Sequence, residues 1–202
     1  MVNDTKSKPV AVLDLDQTMI SAEATEEYDF EKNREKAKKF KFHDMDGYYI
    51  VFERPGLQNF LDFLFENFQV VIWTAASKDY ALFIIEKCIL NQRPERKLKY
   101  IFFSNHCDIS SRKKSGTKDL TLLKDVFNLN DLTLDNMFIL DDYDEVFNTQ
   151  PQNCIVAHPF EYAANDSHKD DFLKQLKKQL KKNFKADSVQ KSVVQINKKL
   201  EK

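Results

Sequence analysis

Short apolar runs alternate with segments of helical periodicity along most of the chain. The first run, residues 10–13, is continuously apolar and passes directly into carboxylates, which is typical of a buried strand in a parallel sheet. Similar runs predict further strands over residues 68–74, 100–103, 137–142 and 154–157. Apolar residues recur at helical spacing between and after them, over residues 57–65, 75–90, 120–127 and 170–184. This alternation predicts an α/β fold with a Rossmann-like central parallel sheet flanked by helices.

Three segments depart from this pattern. Residues 22–41 are densely charged with little periodic apolar content, and we expect a surface insertion that is helical only in part. Residues 42–54 predict two strands joined at Asp46 and Gly47, a dipeptide that favours tight hairpin turns. Residues 91–117 are less regular, and we expect a small β insertion there that ends in a polar loop.

The length of 202 residues suits one domain with a substantial core, which we place at residues 1–184. Apolar residues thin out beyond that point, so residues 185–202 are expected to form a basic, weakly ordered C-terminal tail. Residues 165–202 hold 11 lysines against five acidic residues, although the whole chain has a net charge of −1. This basic end fits either a solvated helical face or a contact with an acidic partner or nucleic acid.

Composition excludes several classes of protein. The chain has three glycines, at positions 47, 56 and 116, so neither a dinucleotide-binding G-x-G-x-x-G turn nor a phosphate-binding P-loop can be assembled. Its three well-separated cysteines fit a reducing compartment, and no apolar run approaches the ~18 residues of a membrane span. We therefore expect an intracellular protein, nuclear or cytoplasmic, without a membrane partner.

Two of the predicted strands end in paired carboxylates, Asp14 with Asp16 and Asp141 with Asp142. Ligands of open α/β sheets bind beyond the carboxyl ends of the strands. If the two strands are neighbours, these like charges need a cation, and oxygen ligands favour Mg²⁺. Carboxylates that hold Mg²⁺ indicate phosphoryl chemistry, whereas the alternative is that each pair caps the helix that follows it.

The same residues carry a resemblance to a known family. Residues 14–18, DLDQT, match the D-x-D-x-T motif of haloacid dehalogenase-superfamily phosphatases. The elements RPG at 54–56, WTA at 73–75, KDL at 118–120 and ILDD at 139–142 follow in order. This ordered set resembles the RNA polymerase II C-terminal-domain (CTD) phosphatase branch, which includes the small CTD phosphatases and NLI-interacting-factor-like proteins. The resemblance extends to about residue 160.

This resemblance implies roles for the first carboxylate pair. Asp14 would be the nucleophile that attacks phosphorus and forms an aspartyl-phosphate. Asp16 would protonate the leaving alkoxide and then activate the water that breaks the intermediate. Mg²⁺ would be bound by Asp14 and by the backbone carbonyl of Asp16. Because residues i and i+2 of an extended segment point the same way, both carboxylates can face one substrate.

The resemblance also assigns residues from three other segments. Thr74 would hydrogen-bond the phosphoryl oxygens, and Lys118 would stabilise negative charge on those oxygens and on Asp14. Asp142 would be a direct Mg²⁺ ligand. Asp141 would then contact a metal-bound water or Lys118, although the order of these two aspartates could be reversed.

The implied substrate is a phosphoserine or phosphothreonine protein, with the RNA polymerase II CTD as the first one to test. The absence of a large cap domain near residues 19–53 favours such bulky substrates. The charged segment 22–41 and Ser104, where relatives tend to have an arginine, depart from the family pattern. The alternatives are a phosphatase-fold scaffold or binding module, and a phosphatase of a small molecule or nucleic-acid end. A nucleic-acid partner is not expected.

Overall fold

The computed structural model describes residues 8–114 and 116–201. Its strands are β1 (Val10–Leu13), β2 (Ile20–Ala24), β3 (Phe42–Met45), β4 (Tyr49–Glu53), β5 (Gln69–Trp73), β6 (Leu98–Phe102), β7 (Met137–Asp141) and β8 (Cys154–Val156). Its α-helices are α1 (Phe30–Ala37), α2 (Leu57–Asn67), α3 (Lys78–Ile84), α4 (Ser104–Lys113), α5 (Thr121–Asp125), α6 (Asp144–Thr149), α7 (Phe172–Asn183) and α8 (Val189–Leu200). A π-helical segment, Ile85–Leu90, continues α3.

The main sheet contains five parallel strands in the spatial order β6-β5-β1-β7-β8. Strand β1 is central, and Leu13 lies opposite Ile72 of β5 and Leu140 of β7. The three strands therefore end at the same edge of the sheet. This architecture confirms the predicted α/β fold with a central parallel sheet.

Two apolar clusters cover the two faces of the main sheet. Alternation along β1 sends Ala11 and Leu13 to one face, where helices α2, α3, α7 and α8 contribute buried side chains. Val10 and Val12 face the other side, together with buried residues of α4, α5 and α6. Because both faces are covered, β1 and most of β5 and β7 are apolar, which is why these strands were predictable as continuous runs.

A small antiparallel sheet with the order β2-β4-β3 lies beside the main one. Its β3–β4 hairpin turns at Asp46 and Gly47, both at positive φ (48° and 77°), which confirms the predicted hairpin. The charged insertion contains the end of β2 and all of α1. Strand β2 pairs with β4 and is partly exposed, so its sequence carries only a weak strand pattern.

The prediction of a small β insertion at residues 91–117 is wrong. Strand β6 from this segment pairs in parallel with β5 and forms an edge of the main sheet. Residues beyond it form α4, so the expected polar loop is largely helical. Buried Cys107 and Ser110 lie three residues apart on one helical face, a short spacing that is hard to recognise in a polar segment.

The structure also corrects the expectation of a weakly ordered tail at residues 185–202. Helix α8 occupies most of this segment, and Val189, Val193 and Ile196 are buried in the main core. These residues are sparse in the sequence, but their i, i+4, i+7 spacing places them on one face. Among the residues that the structure describes, no helix has the length and apolar character of a membrane span.

Candidate active site

A cleft of about 360 Å³ opens where β1, β5 and β7 end. All six residues that the sequence pointed to lie here: the common register of these strands brings five of them together at the strand ends, and Lys118 enters from the segment between α4 and α5. The six are Asp14, Asp16, Thr74, Lys118, Asp141 and Asp142. The cleft is also lined by Gln17, Ala75, Cys107, Thr117 and Tyr143.

Lys118 is buried at the base of this cleft. Its ammonium group donates hydrogen bonds to Asp14 Oδ1 and, at 2.7 Å, to Asp141 Oδ2. Burial alone would lower the pKa of Lys118, but the charges of Asp14 and Asp141 outweigh burial and raise that pKa above its ordinary value. Lys118 is thus held as a cation between two carboxylates from neighbouring strands.

Negative charge exceeds positive charge in this cleft. One ammonium faces four carboxylates, and oxygens of Asp14, Asp141 and Asp142 lie within 4.8 Å of one another. Burial, followed by the charge of Asp14, raises the pKa of both Asp141 and Asp142. Burial also raises the pKa of Asp16 to about 6. A divalent cation with oxygen ligands would relieve this repulsion, so the residues fit Mg²⁺.

The two aspartates at the end of β7 have different partners. Asp141 Oδ2 contacts Lys118, and Asp141 Oδ1 accepts a hydrogen bond from the backbone N–H of Tyr143 at 3.0 Å. Asp142 Oδ1 accepts one from the Thr18 hydroxyl at 2.9 Å. Within the described residues, Asp142 Oδ2 has no hydrogen-bond donor. Asp142 therefore has a carboxylate oxygen available for a cation, whereas both oxygens of Asp141 are already engaged.

Thr74 lies at the end of β5 and is almost fully buried. Its hydroxyl oxygen accepts a hydrogen bond from the backbone N–H of Ala76 at 3.0 Å. The hydroxyl proton thus remains available for an acceptor in the cleft.

The partner of Asp16 was not predicted from the sequence. The Tyr80 hydroxyl donates to Asp16 Oδ1 at 2.5 Å, and its ring meets Tyr49 of the small sheet edge-on at 5.4 Å between centroids. Tyr80 belongs to the segment 75–90 that helical periodicity predicted as a helix. The contact itself depends on how α3 crosses the end of β1, which spacing along the chain does not reveal.

A second missed contact supports the motif at residues 14–18. Arg54 is fully buried and donates to both carboxylate oxygens of Asp170, at 2.9 and 2.8 Å. It also donates to the backbone carbonyl of Thr18 at 3.1 Å. Thr18 in turn orients Asp142, so Arg54 acts on the cleft through this loop.

Comparison with known proteins gives close relatives. A sequence profile for NLI interacting factor-like phosphatases matches residues 9–190. The CTD phosphatase-like protein 355R of Invertebrate iridescent virus 6 is 45% identical over 169 residues, covering 82% of this chain and 93% of that protein. The protein of the same name in Invertebrate iridescent virus 3 is 39% identical over 183 residues, covering 88% and 97%.

The fold is also similar to a solved structure, that of Fcp1, an essential RNA polymerase II CTD phosphatase. The TM-score is 0.61 at 18% identity, and the match covers 92% of this chain and 69% of that one. At this identity the likeness concerns the fold alone. The profile and the viral relatives confirm the resemblance read from the motifs, and the chain belongs to the NLI interacting factor-like phosphatase family.

Proposed function

We propose that this protein is a Mg²⁺-dependent phosphoserine and phosphothreonine protein phosphatase that acts through an aspartyl-phosphate on Asp14. The observation that carries the proposal is the buried contact of Lys118 with both Asp14 and Asp141, beside the available carboxylate of Asp142. A buried ammonium between carboxylates at a cleft is a costly arrangement, and such perturbed groups cluster at functional sites.

The metal would be held by carboxylates of Asp14 and Asp142 and by the backbone carbonyl of Asp16. Bound there, Mg²⁺ would offset the repulsion between the phosphate dianion and Asp14. We assign Asp142, rather than Asp141, as the direct ligand because both oxygens of Asp141 already accept hydrogen bonds. Asp141 holds Lys118 in place instead.

The chain's own residues account for both chemical steps. Asp14 attacks phosphorus, the bond to the serine or threonine oxygen breaks, and Asp16 gives its proton to the departing alkoxide. Asp16 then accepts a proton from the water that attacks the aspartyl-phosphate, which releases inorganic phosphate and restores Asp14. Tyr80 donates to Asp16 Oδ1, and no donor among the described residues contacts Asp16 Oδ2, so Oδ2 can carry the transferred proton while the Tyr80 contact stays in place.

Two donors would stabilise the transferring phosphoryl group. The Lys118 ammonium lies next to the nucleophile, and the free hydroxyl proton of Thr74 can point at a phosphoryl oxygen. Both groups are buried, so the surroundings screen their charge and dipole less than water would.

The substrate that we propose is a phosphoprotein segment, with the RNA polymerase II CTD as the first candidate. The support is the naming of the viral relatives as CTD phosphatase-like and the fold shared with Fcp1. Tyr143 lines the cleft and is 56% exposed, so it offers an aromatic surface to a peptide.

The deciding experiment measures phosphate release from an aryl phosphate and from a phosphoserine heptad peptide, with and without Mg²⁺. We expect Mg²⁺-dependent turnover by the wild type and loss of at least ~10³-fold in Asp14→Asn and Asp16→Asn. The ratio of peptide to aryl rates tests the substrate assignment. Binding of the phosphopeptide without turnover by folded wild type would contradict the proposal and favour the scaffold alternative.

A further inference from the structure

A second group of side chains able to bind a metal lies where the small antiparallel sheet meets the main sheet and its helices. It consists of His43 on β3, Glu53 on β4 and Cys88 in the π-helical segment, and their ligand atoms all lie within 4.8 Å of one another. None of these residues lines the cleft that holds Asp14. We propose that His43, Glu53 and Cys88 bind one Zn²⁺ ion that joins the small sheet to the π-helical segment that continues α3.

The ligand set selects the metal. Thiolate, imidazole and carboxylate groups are the side chains that bind Zn²⁺ in proteins. With these three ligands, a fourth such as water would complete a tetrahedral site. Thiolate is a poor ligand for Mg²⁺, which prefers oxygen, so the two metal sites of this chain differ in chemistry. His43 is partly exposed, and this leaves a side from which water can enter.

The proposed ligands are already oriented. His43 Nε2 lies 2.9 Å from Glu53 Oε1. The amide of Gln58 donates to Glu53 Oε2 at 2.8 Å and to the backbone carbonyl of Cys88 at 2.9 Å. Gln58 thus links two of the ligands, as outer-shell partners do in metal sites.

The Cys88 thiol differs from the two other thiols. Cys107 Sγ donates to the Thr74 carbonyl at 3.6 Å and Cys154 Sγ to the Ile155 carbonyl at 3.7 Å. Cys88 is fully buried, and its Sγ makes no hydrogen bond with any residue that the structure describes. It also lies in a π-helical segment, a rare conformation that is found frequently at functional sites.

Charge balance supports occupancy by a divalent ion. Lys41 Nζ lies 3.0 Å from Glu53 Oε1, and the Lys41 side chain is 45% exposed. Burial, followed by the charge of Glu53, raises the pKa of the Cys88 thiol. On binding, Zn²⁺ would replace two unit charges: the Lys41 ammonium, which moves to solvent, and the thiol proton, which is released to water. Two positive charges thus leave as two arrive, so this exchange does not change the net charge of the site.

The test measures Zn²⁺ affinity of metal-free protein by competition with a chromophoric chelator, with Mg²⁺ present to occupy the oxygen site. We expect one Zn²⁺ per chain, and losses of about 100-fold in Cys88→Ser and His43→Gln, since outer-shell changes alone cost about 10–100-fold. Cys154→Ser is the matched control, because it removes another fully buried thiol, and its affinity should equal that of the wild type. Co²⁺ should give a thiolate charge-transfer band in the wild type and in Cys154→Ser, and no such band in Cys88→Ser.

Lys41→Gln provides a variant with the opposite expected effect. Removing the competing ammonium should tighten Zn²⁺ binding by about tenfold, equivalent to ~1.4 kcal/mol. His43→Gln changes a partly exposed residue, so it keeps the test decisive if Cys88→Ser does not fold. Equal Zn²⁺ affinity in wild type and His43→Gln, no stoichiometric binding, or no charge-transfer band would each overturn the proposal.

Discussion

Lys118 illustrates how one buried side chain links stability to chemistry. It lies between Asp14 and Asp141, whose strands β1 and β7 are hydrogen-bonded neighbours in the sheet. Without the ammonium, two buried carboxylates would face each other with no compensating charge. The same contact places a cation beside the proposed nucleophile, so a change at this position is expected to affect folding and turnover together.

Lys118→Met should therefore lower the free energy of unfolding by about 3–5 kcal/mol, because it leaves buried carboxylates unpaired. Phosphatase activity should be lost as well. Urea denaturation followed by circular dichroism measures the first effect. Lys87→Met, which removes an exposed contact with Glu86, is the control and should leave stability unchanged. Equal stability of Lys118→Met and Lys87→Met would contradict the structural role.

For individual residues, part of the site could be predicted from sequence alone. Asp14, Asp16, Asp141 and Asp142 are visible because they follow apolar strands directly, and strand ends are where α/β sheets bind ligands. Lys118 has no local signal and depended on the family motif. The contact of Tyr80 with Asp16 could not be predicted, because it depends on the packing of one helix over a strand end.

Among the elements, α8 departs furthest from expectation. Its buried residues Val189, Val193 and Ile196 pack on the main core, while its lysines stay exposed. Average composition hid this helix, since a narrow apolar stripe is diluted by the surrounding lysines. Strands β1, β5 and β7 were predictable because burial on both faces makes nearly all of their positions apolar.

Ile196→Ala should lower the free energy of unfolding by about 2–5 kcal/mol, as expected for a fully buried aliphatic side chain. The exposed neighbour Lys198 provides the control, and Lys198→Ala should have no measurable effect. Denaturant titration of both variants decides the matter. Wild-type stability of Ile196→Ala would mean that the C-terminal helix is not part of the core in solution.

A long-range ion pair anchors the loop after β4. Arg54 joins the carbonyl of Thr18 to Asp170 and stacks 4.5 Å from the centroid of the Phe172 ring. Asp170 is 116 residues away in the chain, so no local pattern could identify it as the partner. The pair ties the first motif, the small sheet and the start of α7 together.

Arg54→Met should destabilise the protein by about 3–5 kcal/mol, because it leaves Asp170 without its buried partner. It should also slow turnover, since Thr18 and Asp142 lose their support. Lys169→Met breaks an exposed pair with Asp166 in the same region and serves as the control for both measurements. An Arg54→Met variant with wild-type stability would show that the Arg54–Asp170 pair does not stabilise the fold.

For the whole molecule, the excess of carboxylates in the cleft should make the free energy of unfolding depend on bound cation. At a Mg²⁺ concentration 100 times the dissociation constant, binding to the folded state should add about 2.7 kcal/mol. For a chain of this size, that corresponds to a rise in melting temperature of roughly 5–10 °C. Differential scanning calorimetry with Mg²⁺ and with a chelator measures it. Asp142→Asn should show no such rise, and a rise as large as that of the wild type would exclude Asp142 as a ligand.

The position of α8 also bears on solubility. Strand β8 is an edge of the main sheet, and the side-chain amide of Asn197 accepts from the Val156 N–H at 3.2 Å and donates to the Cys154 carbonyl at 2.9 Å. The amide imitates the peptide group of one more strand residue. It thereby occupies groups that could otherwise recruit a second molecule edge to edge. Loss of this helix would expose an aggregation-prone border, so the basic C-terminal helix protects the sheet against self-association.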